Sequence, residues 1–436
     1  MFKATIKISC SVFVTPVRFL RSFSRCSSSA ADDFKASCCS FGQLTLNVRE
    51  GMIQQPFISR RHRLLKKMAP ASAAIFFAAP SVLRNADCEY PYRQHSDFLY
   101  LTGFSEPEAV LVIIKYNKTS SESILFNRVR DQAMETWFGR RLGQQAAMTE
   151  LGVDQALPFA EIDQQLYQLL NGLAVVYHAQ GEFAYADRIV AAALNRLRQG
   201  SRQKLKAPST QIDWRPMLHE MRLFKSPEEL ALMRKASKIS ADAHLKAMQT
   251  SGDLVLVDAG AEYQGYASDI TRTYPVNGKF SQPQREIYDI VLMALNTALA
   301  LYRPGITIHQ VMTAVIKIKI AGLIKLGLLQ GEVDKLIESK AHLHFFMHGL
   351  SHWLGLDVHD VGDYGSNRNR PLEPGMVLTV EPGLYIAPDA NVPEAYRGIG
   401  IRIEDDIVIT EEGNENLTAA VIKDPDEIEA LMAGAK

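Results

Sequence analysis

Beyond residue 39 this 436-residue chain has a single cysteine, Cys88; the other four (Cys10, Cys26, Cys38 and Cys39) crowd its start. The body therefore carries no disulfide framework and suits a reducing compartment. Long apolar runs are also missing: none approaches the ~18 residues of a membrane-spanning helix. Charge of one sign is not in excess either, with 48 basic and 48 acidic residues. That balance gives no overall attraction to nucleic acid or to an anionic membrane. No glycine-rich loop of the kind that cradles phosphate is present, so a nucleotide role has no support. Finally, acids are absent before Asp32, while Lys3, Lys7, Arg18, Arg21, Arg25 and a run of serines fill the same stretch. An Arg- and Ser-rich, acid-poor leader over residues 1–51 has the composition of an organelle transit peptide, and points to a mitochondrial location, with the cytoplasm as the alternative.

What is present reads as two domains. From residue 52 to 224, short apolar runs alternate with helical patterns. Ala73–Ala79, Ala109–Lys115, Ser123–Phe126 and Ala174–His178 read as strands, and the segments around Ile162–Leu170 and Ala186–Gln199 as helices. This is an α/β domain. Trp137 to Arg141, aromatic and basic on a turn, suits a structural or subunit-contact role. From 225 to 436 the pattern changes to α+β. Ser226-Pro227-Glu228-Glu229 has the serine cap, first-turn proline and N3 glutamate of a capping box. A similar start precedes the helix after Ser281. A third helix spans about Thr307 to Leu326 and ends at Gly327, which suits a left-handed C-cap, and strands follow at Val377–Glu381, Ile399–Glu404 and Asp406–Thr410.

The stretch Leu254–Thr273 reads as a hairpin turning at Gln264-Gly265, since glycine accepts the positive φ that tight turns need. A two-residue turn sets Tyr263 opposite Tyr266, Gly260 opposite Asp269 and Asp258 opposite Thr271. Asp258 and Asp269 then lie diagonally on one face, roughly 7–8 Å apart at the backbone. Two carboxylates beside an apolar strand need a counter-charge, and a metal supplies it. Five of the eleven histidines fall between His342 and His359, and Glu381 and Glu404 close two apolar strands, with Arg402 on the face of Glu404. Four carboxylates and an imidazole without thiolate favour manganese, cobalt or zinc. Four negative charges balance two divalent ions, and paired ions roughly 3.5–4 Å apart serve amide hydrolysis.

The segments V-D-A-G-A-E-Y-Q-G-Y-A-S-D-I-T-R-T, M-H-G-L-S-H-W-L-G-L-D-V-H-D, L-E-P-G-M-V-L-T-V-E-P-G-L-Y and G-I-G-I-R-I-E-D-D resemble the aminopeptidase P family, proline-specific metallopeptidases of the "pita-bread" fold. Y-P-Y-R-Q-H-S-D-F-L-Y-L-T-G-F and W-F-G-R-R-L-G extend the likeness upstream. The resemblance implies Asp258, Asp269, His352, Glu381 and Glu404 as ligands of two divalent ions, usually manganese, with Asp269 and Glu404 shared between them. It places His348 and His359 near the substrate and has Arg402 support the ligands. It implies release of an N-terminal residue that precedes proline, and a homodimer or homotetramer. A prolidase-type dipeptidase and a non-catalytic peptide-binding relative are the alternatives.

One departure stands out. Relatives carry several dozen residues, including a substrate-binding histidine, where this chain has only Gln249 to Asp253. His244 sits in a helical pattern and reads as surface or core, not as a replacement. The pita-bread domain is thus expected to lack an internal segment near residues 250–251, impairing activity.

Overall fold

The computed structural model describes residues 55–85, 88–131, 134–135, 140–247 and 254–434. The leader, Trp137 to Gly139, and the junction at Gln249 to Asp253 lie outside the described residues. The chain divides into a unit spanning Val48–Met221 and another continuing from Arg222.

In the first unit, the strands in chain order are β1 (Ser72–Phe77), a short hairpin of β2 (Leu83–Asn85) and β3 (Cys88–Glu89), β4 (Val110–Lys115), β5 (Ser121–Asn127), β6 (Gln155–Pro158), β7 (Val175–Tyr177) and β8 (Thr210–Ile212). Six of them form one mixed sheet in the order β6-β5-β4-β1-β7-β8. All six residues of central β1 are buried, which is why its run Ser-Ala-Ala-Ile-Phe-Phe shows no polar alternation. The helices Ile162–Leu170 and Ala184–Gln199 seal the sheet with Ile162, Leu166, Leu170, Val190, Leu194 and Leu197. The four expected strands form within one or two residues of their expected ends. The outer strands β6 and β8 gave no periodic signal, and β8 is exposed at all three positions.

In the second unit, the first long helix runs Pro227–Ala247, and its capping box is closed by Ser226 N–H donating to Glu229 (2.8 Å). The helices Gln282–Leu301 and Ile308–Lys325 carry capping boxes from Ser281 with Gln284 and from Thr307 with Gln310. Both bury an apolar stripe (Ile287, Val291, Leu295; Val311, Val315, Leu323) in one core with Trp353, Leu378 and Ile401.

The strands here are β9 (Leu254–Asp258), β10 (Glu262–Tyr263), β11 (Tyr266–Ala267), β12 (Thr271–Pro275), β13 (Val377–Val380), β14 (Gly383–Tyr385), β15 (Gly400–Arg402), β16 (Asp405–Ile409) and β17 (Asn414–Asn416). They form short antiparallel ladders, β9 with β12, β10 with β11, β14 with β15, and β13-β16-β17. Among the described residues these ladders do not merge into one sheet; breaks fall between β9–β12 and β10–β11 and between β13–β16 and β14–β15.

Candidate metal centre

The hairpin has the register read from its turn. Tyr263 pairs with Tyr266 and Asp258 with Thr271. Gln264 and Gly265 both have positive φ (50° and 86°), as a tight two-residue turn matching the strand twist requires. Between its two ladders, around Gly260 and Asp269, the strands stay close, with Ala259 N–H donating to Ile270 (3.0 Å) and Ser268 N–H to Ala261 (3.0 Å). A Cβ on Gly260 would lie 1.7 Å from the Ser268 carbonyl oxygen, so only glycine lets the chains approach there.

The second pair of acids arises by the same device from distant sequence. Val380 pairs with Asp405 and Gly383 with Arg402, so the register carries across the gap and sets Glu381 opposite Glu404. Pro382 lacks an N–H to continue the ladder. The freed backbone groups bond outward: Glu381 N–H to Leu350 (2.9 Å) and Glu404 N–H to Thr271 (3.0 Å). The latter bond ties the glutamate pair to the hairpin. The segment around His352 runs beside β13, with Thr379 N–H donating to the His352 carbonyl (3.0 Å).

These elements bring the five expected ligands together. Asp269, His352 and Glu404 each offer a ligand atom, and these atoms lie within 4.8 Å of one another. Glu381 lies 3.7 Å from His352 Nε2. Asp258 pairs with the Arg402 guanidinium and lies close enough to Asp269 for that charge to raise its pKa. His352 donates Nδ1–H to the Trp353 carbonyl (3.0 Å), which leaves Nε2 facing Asp269 (3.5 Å). Fixing the tautomer this way is what a ligating imidazole needs.

Without a counter-ion the nest is short of positive charge. Burial, then the charge of Asp269, push Asp258 up to about 6 against the pull of Arg402. Burial pushes Glu381 up to about 7, against His352 and Arg402. Fully buried Glu404 is driven well above the carboxylate range by burial and then by Asp269, Glu381 and Asp258. Burial acts against the charged form of His352, yet Asp269 and Glu381 hold its pKa above the ordinary value.

Of the remaining expected residues, His348 is half-buried. It donates Nδ1–H to the Gly349 carbonyl (2.9 Å), and its Nε2 meets the Tyr385 hydroxyl (2.8 Å). Burial lowers its pKa to about 4, so the ring is neutral at ordinary pH. His359 is exposed and stands edge-on to His352, with ring centroids 4.5 Å apart. Arg402 reaches Asp258, Thr271 (3.0 Å) and Tyr385 (3.0 Å). His244 is core: it is 2% exposed and bonds the Tyr274 hydroxyl and the Ala259 carbonyl.

Three contributors escaped the sequence reading. Thr271 donates to Glu404 (2.5 Å), Tyr385 joins Arg402 to His348, and Asp406 accepts the Asp269 backbone N–H (3.0 Å). Thr271 alone had a signal, its place opposite Asp258.

An acid-rich nest with one imidazole, assembled at breaks between paired strands, defines a metal-dependent hydrolase by its donor chemistry. Residues 249–411 match metallopeptidase family M24, and residues 57–177 match the aminopeptidase P N-terminal domain. The chain is 61% identical over 434 residues to the Xaa-Pro aminopeptidase of Escherichia coli (88% of this chain, 98% of that protein). It is 45% identical over 430 residues to that of Haemophilus influenzae (87% and 97%). The structure of zinc-substituted E. coli aminopeptidase P in complex with product superposes with a TM-score of 0.88 at 61% identity, covering 89% of this chain and all of that one. The chain belongs to metallopeptidase family M24, in its aminopeptidase P branch.

The comparisons correct one expectation. The mitochondrial reading of the leader falls, because these highly similar relatives are bacterial enzymes. Its basis, many Arg and Ser and few acids, is a matter of composition alone.

Proposed function

We propose that this chain is an Xaa-Pro aminopeptidase, hydrolysing the peptide bond ahead of a proline at position two and releasing the N-terminal residue. The observation that carries this is the juxtaposition of Asp269, His352 and Glu404, with Glu381 and Asp258 beside them, in a chain so similar to enzymes of that name. The residues fit a pair of divalent ions: among the groups named here, Arg402 is the one fixed cation facing four carboxylates, and His352 keeps Nε2 directed into the nest. Asp258, Asp269, His352, Glu381 and Glu404 would hold the ions, manganese first, with cobalt or zinc as alternatives. When bound, such ions polarise a carbonyl and lower the pKa of water.

The protein's own groups supply the rest. Arg402 pairs with Asp258, opposing the protonation that burial and Asp269 favour, and anchors the Tyr385 hydroxyl. Tyr385 in turn donates to His348 Nε2 and so keeps the ring proton on Nδ1, where the Gly349 carbonyl accepts it and Glu381 lies 3.4 Å away; the neutral ring is thereby fixed at the edge of the nest. His359, exposed above His352, offers a second imidazole to an incoming peptide. The domain boundary near Phe224 and a homodimer or homotetramer go with this reading, and sedimentation equilibrium tests the latter.

One observation favours a second reading, in which the chain holds metal without turnover. The E. coli alignment spans 434 positions, while 88% of 436 residues is about 384, so about 50 positions have no counterpart here. We place that deficit at the junction Gln249 to Asp253. Loss of a positioned proton donor or oxyanion group costs roughly 10²–10⁴-fold in rate.

The test is manganese-dependent release of the first residue from an Xaa-Pro-Xaa tripeptide beside an Xaa-Pro dipeptide. Cleavage of the tripeptide supports the aminopeptidase. Cleavage of the dipeptide alone makes it a prolidase, and metal uptake without cleavage of either makes it a binding protein.

A further inference from the structure

Beneath the exposed His359 lies a group of buried charges that the proposed chemistry does not use. Asp360, 6% exposed, accepts from Arg222 (2.6 Å) and from Lys225 Nζ (3.0 Å); these cations are 3% and 6% exposed. Arg222 also donates to Asp357 (2.8 Å), so two cations meet two carboxylates. Asp357 is 42% exposed at its side chain, but burying the other three charges is costly, and replacing such a set by apolar side chains is often neutral or stabilising. Stability therefore gives little reason for it, and placement gives a better one.

The loop it holds is short and pinned at each end. Gly355 accepts the Ala267 N–H from the hairpin (2.8 Å), and Asp360 N–H donates to the Trp353 carbonyl (2.9 Å). A Cβ on Gly355 would lie 2.1 Å from Asp360 Oδ2 and 2.9 Å from Lys225 Cε, so the glycine makes room for the charge cluster. The residue between Val358 and Asp360 is His359, whose ring is exposed and meets His352 edge-on at 4.5 Å. An exposed imidazole has little packing to define its place, and its backbone must define it instead. Strand geometry cannot do so, because the loop belongs to no ladder.

We propose that Asp360, clamped by Arg222 and Lys225, is a positioning residue that holds the His359 ring over His352 at the mouth of the site. The kinetic part of this rests on the aminopeptidase reading, whereas the geometric part does not.

The experiment uses the whole chain, loaded with manganese for kinetics and with zinc for proton–carbon NMR of the histidine rings, His359→Ala assigning the signals. The unsubstituted chain shows a nuclear Overhauser contact between the His359 and His352 rings. Asp360→Asn loses that contact, and kcat falls about 10- to 100-fold with KM and metal affinity unchanged. Asp360→Asn with Lys225→Met, which removes one charge of each sign, guards against misfolding and behaves alike. Combined with His359→Ala, Asp360→Asn adds no further loss, since both act through one ring.

A retained ring contact in both Asp360 variants overturns the proposal, as do losses that multiply in the double variant. If the unsubstituted chain turns over no Xaa-Pro peptide, the peptidase reading fails and the ring contact alone decides the positioning.

Discussion

Glu381 and Glu404 face one another across an antiparallel pair, an arrangement that like charges normally make unfavourable. Their raised pKa values, with that of Asp258, have a definite consequence for stability. In the metal-free fold these acids bind protons that the unfolded chain has already released at the same pH. Their stabilising contribution is thus whole below about pH 4 and is lost as pH rises through about 6 and 7. We predict that chelated protein melts at a lower temperature at pH 8 than at pH 5, and that divalent metal reverses the trend; scanning fluorimetry at both pH values checks this. Glu381→Gln removes one repelling charge. It should raise metal-free stability at pH 8 by roughly 1–3 kcal/mol while abolishing the gain from metal. A metal-free variant less stable than its parent would contradict the charge account.

At the scale of elements, the two halves of the nest were not equally legible. The Asp258–Asp269 half was readable because Gln264-Gly265 sets a local turn, and a local turn dictates the register on both sides. The Glu381–Glu404 half showed only as acids closing apolar runs. Their face-to-face pairing depends on strands more than 20 residues apart, for which no short pattern exists. Tyr385 was invisible for another reason: an aromatic on an apolar strand ordinarily packs in a core, and its hydroxyl contacts come from the tertiary fold. The helix starts at Ser226 and Ser281 were plain because capping is local chemistry, whereas the box from Thr307 with Gln310 showed only in the structure. Gly260→Ala should be severe, since its Cβ would collide with the backbone of Ser268 and not with a yielding side chain. We expect a loss of roughly 3 kcal/mol or more in urea unfolding, together with weakened metal uptake. Asp405, fully buried next to Glu404, bonds Arg272, Asn416 and Lys423. Asp405→Asn leaves those cations underneutralised and should cost roughly 3–5 kcal/mol by the same measurement.

At the scale of the whole molecule, the second unit assembles a ligand nest from four separate segments, the hairpin and the stretches around His352, Glu381 and Glu404. The helix ending at Ala247 and the strand starting at Leu254 flank that junction. If the segment proposed as missing supplies only part of the pocket, inserting about 50 residues of an active relative there should raise kcat by roughly 10²–10⁴-fold while leaving metal affinity alone. Peptidase assays and calorimetric titration of the two forms check this. An insertion that creates metal binding anew would mean that the nest is incomplete in the present chain.

The most direct test is the metal content of purified protein, measured by mass spectrometry after dialysis against manganese, with melting temperature followed before and after chelation. We predict two ions per chain and a stabilisation of about 2.7 kcal/mol for each site at a hundredfold excess over Kd, lost on chelation. No bound ion, with a melting temperature indifferent to manganese, cobalt, zinc and chelator, would contradict it.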